Sequence, residues 1–565
     1  MFGLVWYILL CSRVVFAISV DPLPRPHNVT WFGDSAIVLD LDAIELKELE
    51  GGEGISNSLV QGAFERAVAD IKTVKWSPYL YSNVTSHCPE SKAQAPNVVT
   101  VAIADYDADL QFGVDESYEL HIDEGGINIS SETIWGTLHA LTTLQQMVVY
   151  QCGQYFVEQY VHIQDYPLFK HRGLMVDSAR NFLPVNKIME QIELMALSKM
   201  NTLHWHLVDS QSWPVEIASH PEMTQDAYSA REVYTQKDVL NVVNFARSRG
   251  VRLVPEIDMP GHARAGWRKV DPDIVECADV FWTDAAVEPP PGQLNIMNNE
   301  TYFVIGDVYH ELSNLFHDHY FHVGNDELQK DCYPNSWYDN ATLSDITQHY
   351  IDRALPIYNS VPGRQLVMWD DVLLSDGAVE SLPSNVTLQT WHEVSGVKNL
   401  TSRGYNVIVS SSDHLYLDCG YGGFLTNDWR YIDASQNVEF NTCKGGSWCG
   451  PYKTWQRIYT FDFLSNLTQS EQELVVGAEA VLWSEQVDFA VLTGKIWPRA
   501  SALGESLWSG NKNEKGEFRL YEMSTRIVQF REYMVSLGFA VSPLVPRFCL
   551  FNPHACDAEK PPNHV

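Results

Sequence analysis

Tyr320-Phe321-His322-Val323-Gly324-Asn325-Asp326-Glu327 joins a short aromatic and β-branched run to an acidic turn. The run is too short for a helix face and reads as a buried strand. Gly324-Asn325 break it, so the carboxylates of Asp326 and Glu327 stand where the strand ends. Neighbours on an ideal strand point to opposite sides, but at a strand end the backbone turns and both can reach one cavity. Two carboxylates held at different pKa values, one ionised and one donating a proton, are what cleavage of a glycosidic bond uses. For these two residues alone, an acidic turn or helix N-terminus is the plainer alternative.

The surroundings decide between the two. From His171 onward, strand and helix patterns alternate, with strands expected at 172–177, 202–209, 251–258, 320–324, 365–369, 387–391, 406–410 and 475–483. Helical runs such as 185–199 and 236–249 lie between most of them. That alternation is the signature of a (β/α)8 barrel, a TIM barrel, whose active site lies at the C-terminal ends of its strands. The strand ends carry Asp177 and Arg180, Asp209, Asp258 and His262, Asp326 and Glu327, Trp369 and Asp370, Trp391, Tyr416 and Asp418, and Trp483 and Glu485. Structural need does not explain eight polar or aromatic endings in a row.

Upstream, residues 19–165 mix strand-like runs at 36–39, 98–103 and 118–122 with helical stretches at 57–74 and from about Ser131, where Ser-Ser-Glu resembles a capping start. A smaller α+β domain is therefore expected there, with Asp165-Tyr166-Pro167 as the boundary and 166–565 as the barrel domain. Residues 2–20 are apolar apart from Arg13 and end near small residues, which reads as a signal peptide over 1–18. The n-region lacks a basic residue; an uncleaved anchor competes, but Arg13 leaves the run short for a span. No other stretch is long enough to cross a bilayer.

The chain has 565 residues, 38 Lys and Arg against 72 Asp and Glu, and a formal charge of −34. That charge leaves no footprint for nucleic acid or for an anionic membrane. At 45% hydrophobic and 12% aromatic content, global disorder is excluded. Eight sequons (Asn28, Asn83, Asn128, Asn299, Asn340, Asn385, Asn399 and Asn466) fit export. Ten cysteines less Cys11 leave nine, most of which pair in an oxidising compartment. Cys549–Cys556 would close the C-terminal tail. Cys88–Cys152, Cys277–Cys332 and Cys419–Cys449 are the other expected pairs, with Cys443 left over, although spacing alone does not fix connectivity.

The segments HRGLMVDSARNFLP, NTLHWHLVDSQSWP, VRLVPEIDMPGH, FHVGNDE, VMWDD, LQTW, LYLDCG, AVLWSE and WPRASALGESLWS, over about 166–510, resemble glycoside hydrolase family 20, the β-N-acetylhexosaminidases. LYLDCG and CGPYKTWQRIY are similar to fungal secreted members, and the N-terminal region resembles the family's accessory domain more loosely. One departure is Asn325, where the family usually has a second Gly. Asn tolerates left-handed backbone better than most residues, so the turn is expected to survive.

Family 20 departs from the usual carboxylate nucleophile by using the substrate. The resemblance implies that the sugar's acetamido oxygen attacks C1. Glu327 would then protonate the leaving oxygen, Asp326 would hold the acetamido N–H, and Tyr416 would fix its carbonyl. It further implies that Arg180, Asp209 and Glu485 bind sugar hydroxyls, that Asp418 takes a hydroxyl of the terminal sugar, and that Trp369, Trp391 and Trp483 wall the pocket. An ion pair knitting barrel loops is the alternative for Arg180 and Asp209. His262 is expected to orient the carboxylates. His204-Trp205-His206 has the look of an amidohydrolase metal motif. Strict alternation from an inward Asp209, however, puts Trp205 and Leu207 inward and both histidines outward. No cofactor and no metal enters the expected chemistry. The expected partners are N-acetylhexosamine-terminated oligosaccharides, and the fungal members suggest a homodimer. The expected enzyme is secreted, extracellular or wall-bound, and exo-acting. A zinc amidohydrolase, a catalytically silent carbohydrate-binding protein and a disaccharide-releasing relative are the rivals.

Overall fold

The computed structural model describes residues 21–31, 35–49, 55–78, 97–333, 341–428, 447–552 and 555–558. The expected signal segment, Cys88 and Cys443 lie outside these residues.

Eight parallel strands close into a barrel: β1 (His171–Asp177), β2 (Thr202–Val208), β3 (Arg252–Met259), β4 (Tyr320–Gly324), β5 (Gln365–Trp369), β6 (Thr387–Thr390), β7 (Asn406–Val409) and β8 (Val475–Leu482), with β8 pairing back onto β1. The strands are buried almost throughout, as a parallel sheet covered by helices must be. Between strands and helices lies the main apolar core. Helix starts are fixed locally. Thr235 and Asp238 form a capping box, as do Thr342 and Asp345.

The barrel interior is layered. Val254, Tyr320, Val367 and Ile408 close its lower end, and Phe112 of the preceding domain stacks on Tyr320 with ring centroids 5.1 Å apart. Above them sits a charged layer instead of the aliphatic filling common in such barrels. Glu479 contacts His171 at 2.7 Å and His204 at 3.0 Å, and Glu256 contacts His206 at 2.5 Å and His322 at 2.9 Å. Gly173 makes room for this layer, since a Cβ there would lie 2.3 Å from Cγ of Glu479.

This layer corrects the expected orientation of β2. His204 and His206 point into the barrel, while Trp205 and Leu207 belong to the apolar shell under the helices. The cause is a β-bulge, with the register against β3 shifting between His206 and Val208. One extra residue breaks strict alternation, so His206 and Asp209 share a face although three positions apart.

Before the barrel lies a six-stranded mixed sheet, in the order Asn28–Trp31, Val161–Asp165, Tyr118–Asp123, Gly126–Thr133, Val98–Asp105 and Glu45–Glu48. Helices Ser58–Val74 and Ile134–Met147 share its core. The second helix is capped by Thr133, because Ser130 and Ser131 still belong to the strand before it. Two buried ion pairs join this domain to the barrel. Arg172 holds both oxygens of Glu116 at 2.6 and 3.0 Å, and Lys199 meets Asp165 at 2.8 Å, with Trp508 stacked under both cations. Disulfides link Cys277–Cys332, Cys419–Cys449 and Cys549–Cys556. Cys152 is also disulfide-bonded.

Candidate active site

A cavity of about 380 Å³ opens over the C-terminal ends of the strands. Of the residues expected to act on or bind the sugar, all but Asp209 line it: Arg180, His262, Asp326, Glu327, Trp369, Trp391, Tyr416, Asp418, Trp483 and Glu485; the strand-end residues Asp177, Asp258 and Asp370 do not.

The turn after β4 is built from left-handed backbone, with φ of 65° at Gly324, 78° at Asn325 and 52° at Glu327. Gly324 is also sterically required, because a Cβ would fall 1.8 Å from Oδ1 of Asp258. Asn325 occupies the left-handed region that Asn tolerates. Glu327 costs roughly 1–3 kcal/mol in this conformation, a strain typical of functional turns. Its backbone N–H donates to Asp371 Oδ1 at 3.2 Å.

The two carboxylates of the turn then face different surroundings. Glu327 Oε2 lies 3.1 Å from Nε2 of His262. Asp326 is buried, and its Oδ1 has no hydrogen-bond partner among the described residues. Burial raises Asp326 to about 7; His262 opposes this, while Asp371, Glu256 and Glu327 add to it. Asp258 lies beside Asp326 and His262, pushed well above the ordinary range by burial and by the Asp326 charge. Burial and Asp370 likewise lift Asp371 to about 7. Asp418 also reaches about 7, because burial outweighs the backbone N–H groups, Arg499 and Lys453 that favour its charge.

Arg180 stands over the Trp483 ring at 4.8 Å and is clamped between Asp209 at 2.7 Å and Glu288 at 2.6 Å. Although burial disfavours its charge, these carboxylates hold its pKa well above the ordinary value. Asp209 is not among the residues that line the cavity, and it forms with Arg180 the ion pair that was the alternative for both. It is buried behind the pocket wall, and its oxygens are taken by Arg180, by His206 at 3.0 Å and by His262 at 3.2 Å.

Trp369 is fixed by its indole N–H, which donates to Glu256 Oε1 at 2.7 Å, and Trp391 by a bond to Asp371. Tyr416 packs edge-on to Trp483 and Trp448 at 6.4 and 6.1 Å. Trp448, 59% exposed, stands at the rim with Val287 and Phe424. The structure adds Glu288, Asp371 and Trp448 to the residues found from the sequence. Asp371 was within reach of a sequence reading, as the third member of Trp369-Asp370-Asp371 at a strand end. Glu288 was not, because it stands in a Pro-rich loop without periodicity.

The geometry therefore defines a barrel enzyme with paired acids in an aromatic pocket. Comparison with known proteins agrees. "Glycosyl hydrolase family 20, catalytic domain" matches residues 169–511, and "beta-acetyl hexosaminidase like" matches 22–147. A beta-hexosaminidase of Emericella nidulans is 46% identical, covering 98% of this chain and 98% of its own. Beta-hexosaminidase 1 of Coccidioides posadasii is also 46% identical, over 97% and 96%. The solved structure of a Flavobacterium johnsoniae chitobiase has a TM-score of 0.71 at 22% identity, covering 92% of this chain and 73% of that one, a likeness of fold. The chain belongs to glycosyl hydrolase family 20 and is a glycoside hydrolase.

Proposed function

We propose that this chain is an exo-acting β-N-acetylhexosaminidase removing terminal non-reducing GlcNAc or GalNAc from chitobiose, chitin oligomers or glycans. The observation that carries the reading is the unpartnered Oδ1 of buried Asp326, next to Glu327 in a pocket walled by Trp369, Trp391, Trp483 and Tyr416. An acetamido N–H is the donor such an oxygen lacks. The names of the fungal relatives support it.

In the first step the acetamido carbonyl oxygen attacks C1 while the bond from C1 to the leaving oxygen breaks. Glu327 gives that oxygen its proton. The resulting oxazolinium carries positive charge, which Asp326 offsets as it accepts the N–H. Such a partner favours the ionised form of Asp326 against the burial that opposes it. Tyr416 donates its O–H to the acetamido oxygen and sets the angle of attack. In the second step water gives a proton to Glu327 and its oxygen attacks C1, which reopens the five-membered ring with the anomeric configuration retained. In this reading Arg180, Asp418 and Glu485 hold sugar hydroxyls by hydrogen bonds, those from Arg180 charge-assisted. Trp448 and Phe424 at the rim offer apolar faces to the sugar that follows the terminal one.

Export fits the described disulfides, since such bonds persist in oxidising compartments. Among the described residues no helix is long and apolar enough to cross a membrane. Assaying the purified protein on chromogenic β-GlcNAc, β-GalNAc and β-glucoside tests the reading. Turnover of either of the first two without the third is expected. Comparable cleavage of the glucoside, or no turnover of any, removes it.

A further inference from the structure

Below the pocket, one carboxylate has contacts that the chemistry just described does not use. Glu256 is fully buried in β3 and touches no solvent. Its Oε2 meets Nδ1 of His206 at 2.5 Å, and Nε2 of that ring meets Asp209 Oδ2 at 3.0 Å. Asp209 Oδ1 meets Nδ1 of His262 at 3.2 Å, and Nε2 of His262 meets Glu327 Oε2 at 3.1 Å. Acid and imidazole alternate without a gap from the barrel interior to the turn after β4. The other oxygen of Glu256 accepts the Trp369 indole N–H and lies 2.9 Å from His322.

On the reading that Glu327 is the proton donor, we propose that Glu256 is a positioning residue for that proton transfer, acting through His206, Asp209 and His262. His206, flanked by two carboxylates, donates one N–H to each. That fixes Asp209 Oδ2 toward His206 and leaves Oδ1 for His262. Burial disfavours a charged His262, yet Asp209, Glu327 and Asp258 around it keep its pKa well above the ordinary value, so it carries both protons and gives Nδ1–H to Asp209 and Nε2–H to Glu327. When Glu327 surrenders its proton to the leaving oxygen, the new carboxylate faces an N–H already in place. The proton returns from water, and none has to travel along the chain. The bulge in β2 serves this line, because without it Asp209 would point away from His206. Burial disfavours a charged His206, yet the facing Glu256 and Asp209 keep its pKa well above the ordinary value.

A purely structural Glu256 would fill the barrel interior and matter equally for every substrate. A positioning residue matters where a proton must be delivered. Glu256→Gln is therefore compared with the parent protein on chitobiose, whose leaving sugar needs a proton, and on 2,4-dinitrophenyl β-GlcNAc, whose leaving phenol does not. A loss of kcat/KM of roughly 10- to 100-fold is expected on chitobiose, the scale of a displaced catalytic group. A loss below about 3-fold is expected on the dinitrophenyl glycoside, where general acid assistance is not drawn on. Added to Glu327→Gln, the same substitution should cost nothing further, because the two act as one unit. His206→Gln carries the same comparison if Glu256→Gln does not fold. Equal losses on both glycosides, no loss on either, or a full additional loss in the Glu327→Gln background would overturn the proposal. A parent protein inert toward both would instead remove the hexosaminidase reading on which it rests.

Discussion

Buried carboxylates occur in two regions of this molecule, and their surroundings drive them in opposite directions. At the junction of the two domains, burial alone would raise Glu116, but Arg172 and His139 outweigh it and hold Glu116 at about 2. Asp165 is likewise held below the usual range, with Lys199, Tyr118 and Trp508 around it. In and beside the pocket the partners do not outweigh the same burial, and Asp326, Asp371 and Asp418 each rise to about 7. The junction uses carboxylates to hold the fold. The pocket leaves Oδ1 of Asp326 and of Asp418 without a partner among the described residues, which on the proposed function is where a substrate donor enters.

The contrast breaks most visibly by mutation. Glu327→Gln should lose roughly 10²–10⁴-fold in kcat on chitobiose, the usual worth of general acid–base assistance, while substrate still binds and the melting temperature stays. Near-full activity would place the acid elsewhere. The converse variant is Lys199→Met, which strands Asp165 in a buried site. It should cost about 3–5 kcal/mol in denaturant unfolding, as breaking one side of a buried pair does, with kcat per folded molecule kept. A stable but inactive Lys199→Met would contradict the division.

The two regions also bend stability against pH in opposite senses. Glu116 and Asp165 are depressed, so their contribution is present above the unfolded values near 4 and is lost as pH falls through the folded ones. Asp326, Asp371 and Asp418 are raised, so the folded state binds more protons between about 4 and 7 and stability declines as pH rises through that window. Thermal unfolding followed across pH should therefore peak on the acid side of neutrality, and replacing the pocket aspartates by Asn should flatten only the alkaline flank. The smallest effect is expected from Asp371→Asn. The Asp371 charge helps raise Asp326, so its removal lowers Asp326 and moves the acid limb of kcat/KM to lower pH. A limb that stays or moves upward would detach Asp371 from Asp326.

Most of the barrel could be read from the sequence because its strands are short apolar runs ending in chemistry. Tyr320–Gly324 and Gln365–Trp369 begin and end at the expected residues. The orientation within β2 could not be read. A bulge adds one residue with no mark in composition, and counting by two from Asp209 then assigns His204 and His206 to the wrong face. Glu256 carries a signal in the sequence, since a lone carboxylate inside an apolar strand is seldom buried without partners. Glu288 and Trp448 reach the pocket from long loops, where no period links position to direction.

The most direct test of the pocket's chemistry is the rate on substrates whose acetyl methyl carries zero, one, two or three fluorines. If the acetamido oxygen is the nucleophile, kcat/KM falls steeply and in order as fluorine withdraws electron density from it. In Asp326→Asn that acetamido dependence should flatten, because the anion facing the oxazolinium is gone. A flat series in the unmodified protein would mean that a protein side chain attacks C1, contradicting the role given to Asp326.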